Sequence, residues 1–130
     1  FDLDAQAHSA ALMSAGHGPT LWMHGADGAI TSIAAQGLPL GISADGDWDN
    51  SFQITFDPGD WGIILSDGFF EAQNADRVEF GLERLQGLLR AQRHRAAREL
   101  LAEMDQAVTA WVGAHPQQDD MTAVVIKRVS

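Results

Sequence analysis

The residues of this chain best placed to do chemistry are Asp67 and the pair Asp119-Asp120, each at the end of an apolar run. The run Trp61-Gly-Ile-Ile-Leu-Ser-Asp67-Gly68 carries the backbone inward and then delivers one carboxylate followed by a glycine. The segment Gln118-Asp119-Asp120-Met121-Thr122 is its mirror image, two carboxylates followed by the apolar run Ala123 to Ile126. If the two strands lie side by side, Asp67 and Asp119 converge. Converging carboxylates repel unless a cation lies between them, and hard oxygen ligands suit Mg²⁺ or Mn²⁺ rather than zinc. Two such ions roughly 3.5–4 Å apart activate water and polarise a phosphate, so no nucleophilic side chain is needed. Each carboxylate also has a plainer reading. Asp-Gly is a common turn pair, and loops before strands are ordinarily polar.

Among the other candidates, Ala15-Gly-His17-Gly-Pro19 lies in a bend between strands. His17 is either a general acid or metal ligand near phosphate, or a histidine bonding its own shaped turn. His8, His24, His94 and His115 show no ligand spacing among themselves. Neither a Gly-x-Ser-x-Gly elbow nor a glycine-rich phosphate loop with its lysine is present. Trp22, Trp48, Trp61 and Trp111 read as core or rim anchors, with ligand stacking as the alternative.

Composition narrows the class. The 130 residues fit one domain or part of one, and 45% of them are apolar, enough for a core. With 18 acidic and 8 basic residues the net charge is -10, which disfavours nucleic acid and anionic membrane surfaces as partners. The absence of cysteine excludes disulfides and thiolate chemistry, and makes a reducing cytoplasm the default compartment. Neither a run approaching the roughly 20 residues of a membrane span nor a signal peptide is visible.

The elements that must position these residues follow from periodicity. Phe1 and Leu3 alternate with Asp2 and Asp4 as in a half-buried strand, with Ala10 to Ala15 as a candidate partner. Thr20 to His24 and Ala29 to Ile33 flank the hairpin-length loop Gly25-Ala-Asp-Gly28. Gly37-Leu-Pro-Leu-Gly41 is a tight connector, and Asp45 to Asn50 an acidic loop. Phe52, Ile54 and Phe56 share one face of a strand. The turn Asp57-Pro-Gly-Asp60 then leads into the strand from Trp61, so an antiparallel hairpin is expected over Ser51 to Ser66. Helical spacing takes over with Phe80, Leu82, Leu85, Leu88 and Leu89, and again from Leu100 to Val112. Between these helices Arg90 to Arg98 form a basic cluster, read as a solvated helix end or as a docking surface. Gly113 and Pro116 stop the second helix, and Ala123 to Val129 is a last strand. This order predicts an α+β fold with helices layered on antiparallel sheet.

Taken in order, six blocks resemble the stage II sporulation protein E type of bacterial PPM (metal-dependent) serine/threonine phosphatases. They are Ala-Gly-His17-x-Pro, Gly37-Leu-Pro-Leu-Gly41, Pro58-Gly-Asp60, Ser-Asp67-Gly68-Phe-Phe-Glu71-Ala, Phe80-Gly81-x-Glu-Arg-Leu85 and Gln118-Asp119-Asp120-x-Thr122. Each block is weak alone; six in order, from about His8 to Arg128, are specific. The resemblance implies a four-layer α-β-β-α sandwich with two Mn²⁺ or Mg²⁺ ions in a cleft at one edge of the sheets. It implies hydrolysis of phosphoserine or phosphothreonine on a regulatory protein, with phosphorylated STAS-type (anti-anti-sigma) proteins as the usual substrates. Asp67 and Asp119 match metal ligands and are the candidate catalytic residues. Gly68 follows the first ligand. Asp120 matches a neighbour that orders the loop or accepts a hydrogen bond from water. Glu71 matches an acidic position of outer-sphere or third-metal type. The blocks around Pro58 and Gly37 match architecture.

Departures from the family pattern are Gly18 where proline is commoner and Ser66 where threonine is. The larger one is that nothing in residues 1–130 matches the family's Gly-Asp-x-x-Gly-His-Gly segment, whose aspartate bridges both metals. The chain therefore reads as a single partial domain, residues 1–130, the C-terminal portion of the catalytic domain. The expectation is that it pairs with the missing N-terminal half, or with a second copy of itself, to cover sheet edges. A non-catalytic interaction module on the same fold is the alternative reading.

Overall fold

The computed structural model describes residues 1–43, 51–114 and 119–130. The loop expected at Asp45 to Asn50, His115, the Pro116 helix stop and Gln118 lie outside the described residues. Seven strands form two antiparallel sheets. The first holds β1 (Asp2–Asp4), β2 (Ser9–Leu12) and β5 (Phe52–Thr55) in the order β1-β2-β5. The second holds β3 (Thr20–Met23), β4 (Ile30–Ile33), β6 (Trp61–Leu65) and β7 (Ala123–Lys127) in the order β4-β3-β6-β7. Two helices, α1 (Leu82–Gln92) and α2 (Ala97–Val112), pack on the second sheet. The α+β fold and the individual strands and helices agree with the periodicities. Three layers, β-β-α, are in place, and among the described residues no helix covers the outer face of the first sheet.

Strand β6 explains the layering. Trp61, Ile63 and Leu65 are fully buried and join Leu21, Met23, Leu85, Leu89, Leu100, Met104 and Val108 in the core between sheet and helices. Its alternate residues face the other sheet. A Cβ placed on Gly62 would lie 3.2 Å from the Phe56 ring, so glycine here lets the first sheet approach closely. Ala10, Leu12, Ile33, Ile54 and Phe56 fill that second core, with Trp22 against it. β6 is therefore buried on both faces, and this is why it reads as a continuous apolar run rather than as an alternation.

One expectation fails. Ser51 to Ser66 is not a hairpin: β5 pairs with β2, while β6 pairs with β3 and β7. The turn Asp57-Pro-Gly-Asp60 does form, with Asp60 N–H donating to the Asp57 carbonyl at 2.9 Å, but it carries the chain from one sheet to the other. Both strands are strongly apolar on an inward face, and stacking them face to face buries both cores, which edge pairing in one sheet would not. Among the described residues no helix is long and apolar enough to cross a membrane.

Candidate metal centre

The site is built at one end of the second sheet. Leu65 at the end of β6 is in register with Ala123 at the start of β7, so the loops carrying Asp67 and Asp119-Asp120 leave the sheet side by side. The adjacency of the two strand ends anticipated from the two runs is what the sheet produces. Asp67 opens a single 3-10 turn, Asp67–Phe69, whose carbonyl accepts the N–H groups of Phe70 and Glu71 at 3.0 and 2.8 Å. This holds Asp67 and Glu71 at the two ends of one short turn. Asp67, Glu71, Asp119 and Asp120 are all exposed to solvent.

Two residues lock the acidic loops together. Ser66 Oγ donates to the Asp120 carbonyl at 2.9 Å and accepts the Thr122 N–H at 3.0 Å. Its own N–H donates to the Thr122 carbonyl at 2.8 Å. Gly68 supplies the second contact. A Cβ there would stand 2.5 Å from the Asp120 oxygen and 3.5 Å from that of Asp119, so the backbones touch where only hydrogen fits. The Asp120 N–H donates to Asp119 Oδ1 at 2.7 Å, which fixes the direction of that carboxylate.

Other blocks reach the same end because β3 begins and β4 finishes there, Thr20 being paired with Ile33. Ser14 and Gly37 join the His17 bend to the Gly37-to-Gly41 connector: the Ser14 carbonyl accepts from Gln36 and Gly37, and Ala15 bridges Gly37. A Cβ on Gly16 would run into Pro39, and the Gly18 position lies 3.6 Å from the Phe70 ring. His17 is thus brought to the edge of the site. Its ring, however, is exposed and sets Nδ1 3.2 Å from the Gly18 carbonyl, in keeping with a histidine that shapes its own turn.

The donor chemistry fits a hard divalent cation in part. Asp67, Asp119 and Asp120 offer carboxylate oxygens on clasped backbone. Among the described residues, however, no group of three or more His, Cys, Asp or Glu side chains gathers around one point. These three carboxylates are candidate oxygen donors and do not by themselves form a complete ligand set.

Sequence reasoning passed over Ser66 as a conservative variant of threonine. The signal was available in its position, since a hydroxyl directly before Asp67 is the nearest group able to bridge two strand ends. Ser66→Ala is expected to destabilise the fold by about 1–2 kcal/mol, because it leaves Thr122 N–H and Asp120 C=O without their partner, whereas Ser66→Thr keeps the bonds. Urea unfolding of the two variants checks this; equal stability of Ser66→Ala and the parent chain would contradict it.

Comparison with known proteins agrees with this geometry. Over 124 residues, 93% of its length, the chain is 32% identical to the phosphoserine phosphatase RsbU of Bacillus subtilis, and it spans 35% of that relative. The fold matches the SiaA-PP2C domain of Pseudomonas aeruginosa with a TM-score of 0.81 at 19% identity, covering 95% of this chain and 48% of that one. It also matches the PP2C phosphatase domain of SpoIIE from Bacillus subtilis with a TM-score of 0.70 at 23% identity, over 95% of this chain and 35% of that structure. The chain spans about a third of its curated relative and about a third to a half of these structures. The architecture is that of the PP2C-type phosphatase domain, and with the stage II sporulation protein E (SpoIIE) family model matching residues 1–129, the chain belongs to that family.

Proposed function

We propose that this chain contributes the C-terminal share of the active centre of a metal-dependent phosphoprotein phosphatase. Its substrate class is phosphoserine or phosphothreonine on a regulatory protein of the STAS type, in the cytoplasm. The observation that carries the reading is the clasp of the Asp67 and Asp119-Asp120 loops at one end of the second sheet, in a chain of this family. Asp67 and Asp119 are the residues to hold Mn²⁺ or Mg²⁺, with Asp120 and Glu71 accepting hydrogen bonds from the surrounding water. When bound, the ions supply Lewis acidity toward the phosphoryl oxygens and lower the pKa of water. The chain's own part is to fix the two carboxylates on adjacent strand ends, so that little reorganisation is needed during attack. The remaining ligands come from water and from segments outside this chain.

A protein substrate is favoured over a small phosphoester by the surroundings. Met13, Leu38, Leu40, Ile42 and Phe52 expose apolar side chains at this same end of the sandwich. Exposed apolar groups near an acidic centre suit a folded partner's surface.

The test is made on the full-length chain. Asp67→Asn and Asp119→Asn should each lower metal-dependent release of phosphate from a phosphoserine STAS-type protein by more than about 100-fold, beyond the 10–100-fold cost typical of outer-shell groups. Glu71→Gln should fall within that smaller range. Calorimetric titration with Mn²⁺ should show matching losses of affinity. The second reading, a non-catalytic interaction module, is favoured by the lack of a three-residue ligand group among the described residues. It prevails if the parent chain and both Asn variants bind Mn²⁺ alike and release no phosphate.

A further inference from the structure

The basic turn between α1 and α2 has no task in the acidic centre. Arg90, Arg93, His94, Arg95 and Arg98 fall within nine residues that include no acidic side chain, in a chain of net charge -10. A helix C-terminus attracts cations to its free carbonyls, and that would be the plain role for these arginines. The carbonyls of Arg93, which caps α1, and of Arg95 just beyond it are taken by other residues. Lys127 Nζ donates to the carbonyls of Arg95 at 2.6 Å and Arg93 at 3.2 Å, and Trp61 Nε1 donates to that of Arg93 at 3.1 Å. The Lys127 ammonium also lies 4.4 Å over the Trp61 ring, which fixes it in place. Only Arg93 bonds a carbonyl of this helix end, donating from Nη1 to Arg90 at 3.1 Å.

Arg90, Arg95 and Arg98 are therefore left over. Arg90 and Arg95 reach only the neutral Gln86 and Gln92 side chains, and all three are exposed. Among the described residues the one ion pair is His24 with Asp60, so none of these guanidinium groups meets a carboxylate despite 18 acidic residues in the chain. Beneath them Arg93 Nε is buried without a hydrogen-bond partner, which adds a poorly solvated positive charge to the patch.

We propose that this turn is a docking surface for an acidic segment of a partner protein, one that offers carboxylates to the exposed arginines. The guanidinium fork matches carboxylates two bonds at a time, and four arginines on the turn and its flanking helix ends favour that over a single point charge. Position decides between anionic partners. Trp61 and Lys127 mark the ends of β6 and β7 opposite to Asp67 and Asp119, so about 16 Å of strand separates the patch from the acidic edge. A short acidic segment confined to the turn lies beyond a Debye length of about 8–10 Å from that edge. Duplex DNA or an anionic bilayer is extended and would meet the repulsion of the whole acidic chain.

The experiment uses the full-length protein and a short dye-labelled Glu-rich peptide, followed by fluorescence anisotropy at low and moderate salt. Saturable binding is expected that weakens with salt and falls at least about tenfold when Arg90→Gln, Arg95→Gln and Arg98→Gln are combined. The three Arg→Lys changes together should recover part of the affinity, since they keep the charge and lose the fork. All three side chains are exposed, and an unchanged circular dichroism spectrum confirms the fold of each variant. The proposal is overturned by no binding, by equal binding to parent and Gln variant, or by tighter binding of the same arginines to duplex DNA or phosphatidylserine vesicles.

Discussion

Replacing Gly68 by alanine is expected to lower metal-dependent phosphate release by about 100-fold while leaving the protein folded. The added Cβ would stand 2.5 Å from the Asp120 oxygen and 3.0 Å from its carbonyl carbon, both backbone atoms, so no side chain can swing aside. The loops carrying Asp67 and Asp119 must separate, and a displacement of about 1 Å in a positioned group costs on the order of 100-fold in rate. The overpacking itself costs about 1–3 kcal/mol, which urea unfolding measures independently. Gly87→Ala is the matched control. It lies inside α1, is exposed, and an added Cβ meets nothing within 4 Å, so activity should be unchanged. If Gly68→Ala turns over substrate and binds Mn²⁺ like the parent, the clasp does not set the spacing of the carboxylates.

Asp60→Ala is expected to cost about 2–4 kcal/mol of stability, since it leaves two backbone donors without their acceptor at about 1–3 kcal/mol each. Only 2% of Asp60 is exposed. Its Oδ1 accepts the Gly25 N–H at 2.9 Å, Oδ2 accepts the Asp57 N–H at 3.0 Å, and His24 Nδ1 lies 3.5 Å from Oδ2. That one carboxylate ties the β3–β4 turn to the crossover that moves the chain between sheets. The two turns also touch directly, since a Cβ on Gly25 would collide with the Gly59 carbonyl. Alanine at position 60 leaves two part-buried N–H donors unmet and frees the crossover. Chemical unfolding should show the loss, with Asp57→Ala, on the exposed side of the turn, far milder. Equal losses in the two variants would mean the network does not hold the crossover.

The two residues differ in how far the sequence revealed them. Gly68 stands beside a carboxylate at the end of an apolar run, and the resemblance marked its block as part of the site. Asp60 reads as ordinary turn punctuation. Its importance comes from Gly25, 35 residues away, which no local pattern connects to it. Ser66 falls between these cases: its position is suggestive, but its partners are 54 and 56 residues distant.

Alternation placed the strand around Ile54, a flanking turn the strand around Leu21, an unbroken apolar run the strand around Ile63, and helical spacing both helices, because all of these are properties of neighbouring residues. Block order gave the family and the identity of Asp67 and Asp119 as candidate ligands. The sequence by itself therefore determined which residues are the candidate oxygen ligands, which segments are strands or helices, and that the basic run joins two helices. Tertiary structure alone decided that β5 and β6 part into different sheets, because burying two apolar faces is a matter of stacking rather than adjacency. It also decided which polar groups are buried and satisfied by distant backbone, and that Lys127 and Trp61 relieve the basic turn of its capping duty. Those outcomes rest on contacts between residues far apart in the chain, where a one-dimensional pattern carries no information about who meets whom.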